Sequence, residues 1–207
     1  MKKKKEFKNP KVIGVTGGIG SGQSTVCELF KKLGCKVINV DDKAKQVIKK
    51  NKTVQNEIKK EFGNKVFFSD GKLNRKLLAS IAFEDENKTQ LLNKIVHPRM
   101  VADVVEEMES ARFSGRYPLI IVDAALIYEI SIEKLFEHVI VVFANHNQRV
   151  KRVMQRDNVK KEEVIARMDR QIPLAEKQKW GDFVIDNRGE TADLEKQVQK
   201  VFDELVD

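Results

Sequence analysis

Gly17-Gly18-Ile19-Gly20-Ser21-Gly22-Gln23-Ser24-Thr25 decides how this chain folds, because it matches G-x-x-x-x-G-K-[ST] at every fixed position except the lysine. Glycines let a backbone coil with its N–H groups turned inward. A helix starting directly behind them adds the positive end of its dipole, so a phosphate finds several donors at once. The flanking residues carry that architecture: Val12–Thr16 is a short β-branched run, and Ser24 to Leu33 has apolar Val26, Leu29, Phe30 and Leu33 at helical spacing. Ser24 stands where its hydroxyl would meet Mg²⁺. A glycine-rich turn by itself can simply permit a tight bend; strand, helix and the Ser24-Thr25 pair together favour a phosphate cradle.

Gln23 occupies the place of a lysine that would deliver a mobile full charge to the β- and γ-phosphates. Its amide donates hydrogen bonds but carries no charge. Losing one such electrostatic contact costs about 10²–10³ in rate. Binding is expected to survive better than turnover, because backbone amides and the metal carry much of the ground-state contact.

Outward from the loop, strand and helix alternate. Lys36–Val40 reads as a second strand, and Asp41 opens a helix in which Ala44, Val47 and Ile48 share a face. Leu119–Asp123 and Val139–Ala144 are apolar on both faces, as central parallel strands covered by helices are. Phe183–Ile185 is a shorter fifth. Between Thr53 and Arg116 the strand rhythm gives way to charged amphipathic helices, notably Asn74–Phe83 and Asp85–Ala111, with His97-Pro98 ending the run that begins near Asp85. Helices over Asn145–Arg156 and Lys161–Gln171 flank a polar turn, and Ala192–Val206 closes the chain. The expected organisation is a basic tail at 1–10, an α/β core at 11–52 and 117–207, a helical lid at about 145–172, and a helical insertion at 53–116.

A chain of 207 residues with 41% hydrophobic content can bury a substantial core. Its longest apolar stretches, such as Pro118 to Val122, fall far short of the roughly 20 residues a membrane helix needs. The basic start leads into Glu6, Lys8 and Pro10 rather than an apolar run, so no signal peptide is read and a cytoplasmic protein without membrane partners is expected. Cys27 and Cys35 fit neither a disulfide framework nor a zinc pattern and read as small apolar fillers. Half of the +8 net charge sits in Lys2–Lys5, without interleaved aromatics, which argues against a nucleic-acid role.

Other residues read less uniquely. Asp41 follows the second strand at the sheet edge where α/β proteins bind ligands; it suits a proton acceptor, or a helix cap together with Asp42. Asp123 ends an apolar strand, the usual form of a carboxylate that reaches Mg²⁺ through water. Arg149, Arg152 and Arg156 repeat at helical spacing, either as forks for phosphate oxygens or as a solvated face paired with Asp157, Glu162 and Glu163. His97 alone decides nothing.

Taken together these segments resemble the dephospho-coenzyme A kinase family over nearly the whole chain. Thr16–Gly22 is similar to that family's version of the loop. Val37–Asp41 resembles its Asp-x-Asp segment, with Asn39 in place of the first acid. His97-Pro98 is similar to its His-Pro pair, and Asp123–Glu129 to its Pro-Leu-Leu-x-Glu segment, with Ala125 for proline. Gln148–Gln171, with Arg156-Asp157, Arg167 and Gln171, resembles its lid, and Asp182–Asn187 its final strand and adenine-side loop. The resemblance implies a three-layer α/β fold of the P-loop kinase type, with a five-stranded parallel sheet, a helical substrate-binding insertion and a helical lid. It implies transfer of the ATP γ-phosphoryl, with Mg²⁺, to the ribose 3′-hydroxyl of dephospho-CoA, completing coenzyme A. Asp41 would be the general base, Arg156 a phosphate clamp, His97 and Glu129 part of the substrate pocket, and Asn187 and Arg152 nucleotide contacts beside Gly17, Gly18, Gly20, Ser21, Gly22, Gln23, Ser24 and Thr25. Metal contacts would fall to Ser24 and Asp123. The alternatives are a weakened or non-catalytic nucleotide- or CoA-binding protein of the same fold, and a kinase for another small molecule.

Overall fold

The computed structural model describes residues 7–82 and 84–207. The expected tail therefore falls largely outside the described residues, as does Phe83 at the end of the expected Asn74–Phe83 helix. Chain contacts divide the protein into two compact units: one holds the chain up to Asn39 together with Met108–Asp207, the other Val40–Glu107.

The first unit is built on five parallel strands, β1 (Lys11–Gly17), β2 (Lys36–Asn39), β3 (Leu119–Asp123), β4 (His138–Phe143) and β5 (Phe183–Asp186), in the order β2-β3-β1-β4-β5. Burial explains the order. Every residue of β3 and nearly every residue of β1 is buried, so these β-branched runs occupy the centre, whereas β5 sits at an edge with Val184 exposed. In-register pairs such as Val15 with Asp123 and Thr16 with Val141 bring β1, β3 and β4 to a common carboxyl edge, where β1 runs into the glycine loop.

Helix α1 (Gln23–Lys32) buries Val26, Cys27, Leu29 and Phe30, and α9 (Thr191–Val206) buries Leu194, Val198, Val201 and Leu205. Both stripes join one cluster with Ile13, Val15, Ile121, Ile140 and Ile185. Burying side chains of this size contributes about 1.5–3 kcal/mol each. This unit also holds α6 (His146–Asp157), α7 (Lys161–Met168) and α8 (Leu174–Trp180). Helix α7 ends three residues before the expected Gln171, and α8 was not foreseen.

The second unit comprises α2 (Val40–Lys50), α3 (Lys52–Phe62), α4 (Arg75–Ala82) and most of α5 (Glu86–Phe113). Asn51 Oδ1 accepts from Val54 N at 3.1 Å and Asn74 Oδ1 from Leu77 N at 3.1 Å, capping α3 and α4. Its buried apolar residues include Val47, Val54, Ile58, Phe62, Val66 and Leu78. The helix expected over Asp85–Ala111 is present as α5, whereas the expectation that His97-Pro98 ends its run is corrected: α5 continues through Pro98. Proline removes one backbone donor, but Val96, Met100, Val104 and Met108 are buried on both sides of it at helical spacing, and Pro98 itself is exposed. The continuous apolar stripe outweighs the lost hydrogen bond.

Candidate active site

The loop joining β1 to α1 turns on glycines with left-handed backbone. Gly22 has φ 91°, and a Cβ there would lie 1.9 Å from Asn187 Nδ2, so this position demands glycine both conformationally and sterically. Asn187 earns that proximity by donating Nδ2 to Ser21 O at 2.7 Å, while Arg152 donates Nη2 to Asn187 O at 3.0 Å. These two predicted nucleotide contacts therefore meet along one side of the loop. On another side Ile19 N donates to Gln171 Oε1 at 2.8 Å. Ser21 Oγ is buried within the loop and has no hydrogen-bond partner. Such an orphaned hydroxyl costs about 1–3 kcal/mol unless a ligand or a loop adjustment satisfies it.

Gln23 is folded back beneath the cradle. Its Nε2 donates to Val15 O at 2.9 Å and to Asp123 Oδ1, so both amide hydrogens are engaged inside the protein. Because both partners only accept, the orientation of the amide is fixed by chemistry. The second oxygen of Asp123 accepts from Asn39 Nδ2 at 2.7 Å. Two of the three departures from the family pattern, Gln23 and Asn39, thus grip one carboxylate from opposite ends. Cys27 lies beside it: burial first, and the Asp123 carboxylate second, push its thiol pKa well up and keep it protonated.

Sequence reasoning missed Lys177. It is fully buried, and its Nζ faces Glu129 Oε1 at 2.6 Å, Ala125 O at 2.9 Å and Gly17 O at 3.3 Å. Glu129 Oε1 also accepts from Ile172 N at 3.0 Å. Desolvation lowers the Lys177 pKa, and Glu129 only partly restores it. The signal available in sequence was weak, since a lysine in Glu176-Lys177-Gln178-Lys179 looks solvated.

The remaining candidates take no part in the side-chain hydrogen bonds just described. Arg156 is exposed and forked onto Asp157, at 2.7 and 3.1 Å, with Arg167 on the same carboxylate at 2.9 Å. Ser24 and Thr25 are exposed at the start of α1. Asp41 and His97 belong to the second unit: Asp41 is exposed in the first turn of α2, and His97 is half-buried on α5, its pKa lowered by burial. The second unit also contains a cavity of about 570 Å³ whose wall carries Lys49, Lys52, Lys72 and Arg75 over apolar Ile48 and Leu78. Among the described residues no cluster of three or more His, Cys, Asp or Glu could hold a metal. The oxygen donors Ser24 and Asp123 nevertheless fit Mg²⁺, which keeps several waters and takes one or two protein ligands alongside substrate phosphates.

A family model described as dephospho-CoA kinase matches residues 11–193. The chain belongs to the dephospho-CoA kinase family. A Bacillus anthracis dephospho-CoA kinase is 38% identical over 190 residues, covering 92% of this chain and 94% of the relative. An Arabidopsis thaliana dephospho-CoA kinase is 35% identical over 195 residues, covering 94% and 84%. The solved dephospho-CoA kinase of Campylobacter jejuni aligns with TM-score 0.72 at 31% identity, over 97% of this chain and 98% of that one. A shikimate kinase of Acinetobacter baumannii, at TM-score 0.51 and 15% identity over 97% and 95%, shares the fold alone. Among the described residues no helix is long and apolar enough to cross a membrane.

Proposed function

We propose that this protein transfers the γ-phosphoryl of ATP to the ribose 3′-hydroxyl of dephospho-CoA, releasing ADP and coenzyme A. The observation that carries the reading is the loop at Gly17–Thr25, with its family-specific glycine pattern, left-handed glycine turns and an orphaned Ser21 hydroxyl, in a chain matched to the family from 11 to 193. In this reading Asp41 accepts the proton of the 3′-hydroxyl, that oxygen attacks the γ-phosphorus, and the bond from the γ-phosphorus to the β–γ bridging oxygen breaks. The exposure of Asp41 suits it to meet a substrate hydroxyl. Loop amides hold the β-phosphate, and Arg152 and Asn187 hold the adenine end, which their shared anchoring along the loop supports.

Arg156 clamps phosphate once it leaves Asp157, with residues at about 145–172 acting as a lid. His97 and Glu129 belong to the substrate side, and the helical residues 53–116 bind dephospho-CoA. The basic-rimmed cavity of the second unit, with its apolar floor, suits a ligand that is anionic at one end and apolar along its arm. Ser24 and Asp123 would hold Mg²⁺, which when bound neutralises phosphate charge. The small, water-soluble anionic substrates and two buried free cysteines support a cytoplasmic location without membrane or nucleic-acid partners.

A second reading, a nucleotide or CoA binder with little turnover, is favoured by one observation: both amide hydrogens of Gln23 are engaged within the protein. A coupled assay for ADP and coenzyme A decides between them. The kinase reading expects ATP- and Mg²⁺-dependent product from the natural chain and more from Gln23→Lys. Nucleotide binding with no product from either protein would establish the second reading instead.

A further inference from the structure

The kinase reading leaves the loop without its usual cation, yet a full positive charge lies against it. Arg149, on the inward face of α6, is 7% exposed. Its Nε donates to Ile19 O at 2.9 Å, and a Cβ added at Gly18 would fall 2.2 Å from Nη2 and 2.5 Å from Cζ. The guanidinium therefore rests on the second glycine of the cradle, in space that only glycine leaves open.

Among the described residues it has no carboxylate partner, and neither Nη donates a hydrogen bond. Neither Nη is sealed from solvent without a partner, as Ser21 Oγ of the same loop is. Buried charges in folded proteins are paired because desolvation is costly. A guanidinium on a residue only 7% exposed, with no carboxylate partner and with both Nη atoms open beside an orphaned hydroxyl on a phosphate loop, is placed to take one anion. Among the described residues the other cations hydrogen-bonded to the loop are committed: Lys177 to Glu129 and two carbonyls, Arg152 to Asn187 O and the carbonyls of Gly20 and Ser21.

We propose that Arg149 supplies to the nucleotide's polyphosphate the positive charge that Gln23 does not carry, so that the loop's cation comes from α6 instead of from the head of α1. This rests on the reading that the loop takes a nucleoside triphosphate. An arginine fork matches two phosphate oxygens, and its charge is retained despite the burial that lowers its pKa. Gln23, released from the phosphates, serves to hold Asp123.

The test is a cycle of four full-length proteins: the natural chain, Arg149→Gln, Gln23→Lys and the double variant. ADP and inorganic pyrophosphate affinities are read by calorimetry, and coenzyme A formation by coupled assay. Arg149→Gln is expected to weaken pyrophosphate and ADP by about tenfold or more in the Gln23 chain, and by less than about threefold where lysine stands at 23. An equal loss in both backgrounds means a structural role, and no loss means no phosphate contact; either result overturns the proposal. Arg149→Lys keeps the charge in a different shape and provides the arm that survives misfolding of the glutamine variant: it should bind pyrophosphate within about tenfold of the natural chain, and a loss as large as that of Arg149→Met overturns the idea. The affinities separate this proposal from the one beneath it. ADP binding without coenzyme A formation by any of the four defeats the kinase reading while still reporting on Arg149, and no binding of ADP by any of them defeats both.

Discussion

Replacing Lys177 by Met tests whether the buried cation beneath the loop holds its neighbourhood together. The ammonium is fully buried and 2.6 Å from Glu129 Oε1, itself 14% exposed. At an effective dielectric of 20 that separation gives an attraction of about 6 kcal/mol, which desolvation of the two ions largely offsets. Removing one partner deletes the attraction and leaves the other charge buried. Glu129 Oε2 is already buried without a hydrogen-bond partner, and Ala125 O and Gly17 O would lose their donor. The cost expected for breaking such a pair is about 3–5 kcal/mol. For a chain of this size each kcal/mol lowers Tm by about 2–4 °C, so a drop of about 6–20 °C follows. Thermal and urea unfolding of Lys177→Met, Glu129→Leu and the double variant supply the measurement. The double variant should regain at least half of the loss, because it buries no lone charge. A Tm for Lys177→Met within about 2 °C of the natural chain, or a double variant no more stable than the single, would refute the argument.

Two further outcomes are expected. Asp41→Asn should lower kcat by about 10²–10⁴ while leaving ADP affinity nearly unchanged; an equal loss in affinity would make Asp41 a binding group instead of the proton acceptor. Burial holds the His97 pKa below its ordinary 6.5, so the unfolded chain binds more protons than the folded one as pH falls through that value. Stability should therefore decline as pH drops below 6.5, and His97→Asn should flatten that decline. Parallel stability curves for the two proteins between about pH 7 and 5 would rule the effect out.

How far the sequence could be read depended on whether a residue's role was local. β1, the glycine loop and α1 were legible because apolar periodicity and loop chemistry lie within one short stretch, and β3 was legible because all five of its residues are buried. Helix α8 was missed because its seven residues are too few to display a period, and only Leu174 and Lys177 on it are buried. The end of α7 was overextended because Gln171 has helix-forming chemistry, but its side chain accepts from Ile19 N, 152 residues earlier in the chain. Pro98 misled in the other direction, since the buried stripe that carries α5 past it becomes decisive only when both halves are seen to face the same way. Lys177 reads as a solvated cation and Arg149 equally as a phosphate fork or a solvated one, because burial at those positions is set by distant partners: Gly17 and Ala125 for one, Gly18 and Ile19 for the other.

The same distinction governs two of the exchanges that set this chain apart from its family's pattern. In sequence Gln23 and Asn39 are separate oddities, one in a loop and one in a strand. The fold brings both side chains to Asp123, Gln23 on one oxygen and Asn39 on the other. A lysine at 23 with an aspartate at 39 would leave this trio with one net negative charge, and the two amides leave it with the same. Either change alone would not. Aspartate at 39 beside Gln23 would set two carboxylates in contact, an arrangement that disfavours ionisation of both. Asn39 therefore makes Gln23 tolerable, and together the two amides keep Asp123 oriented and hydrogen-bonded at both oxygens. What the pair does not preserve is a cation aimed at phosphate, which is why the unpaired guanidinium of Arg149 on Gly18 matters to how such a loop could still turn over.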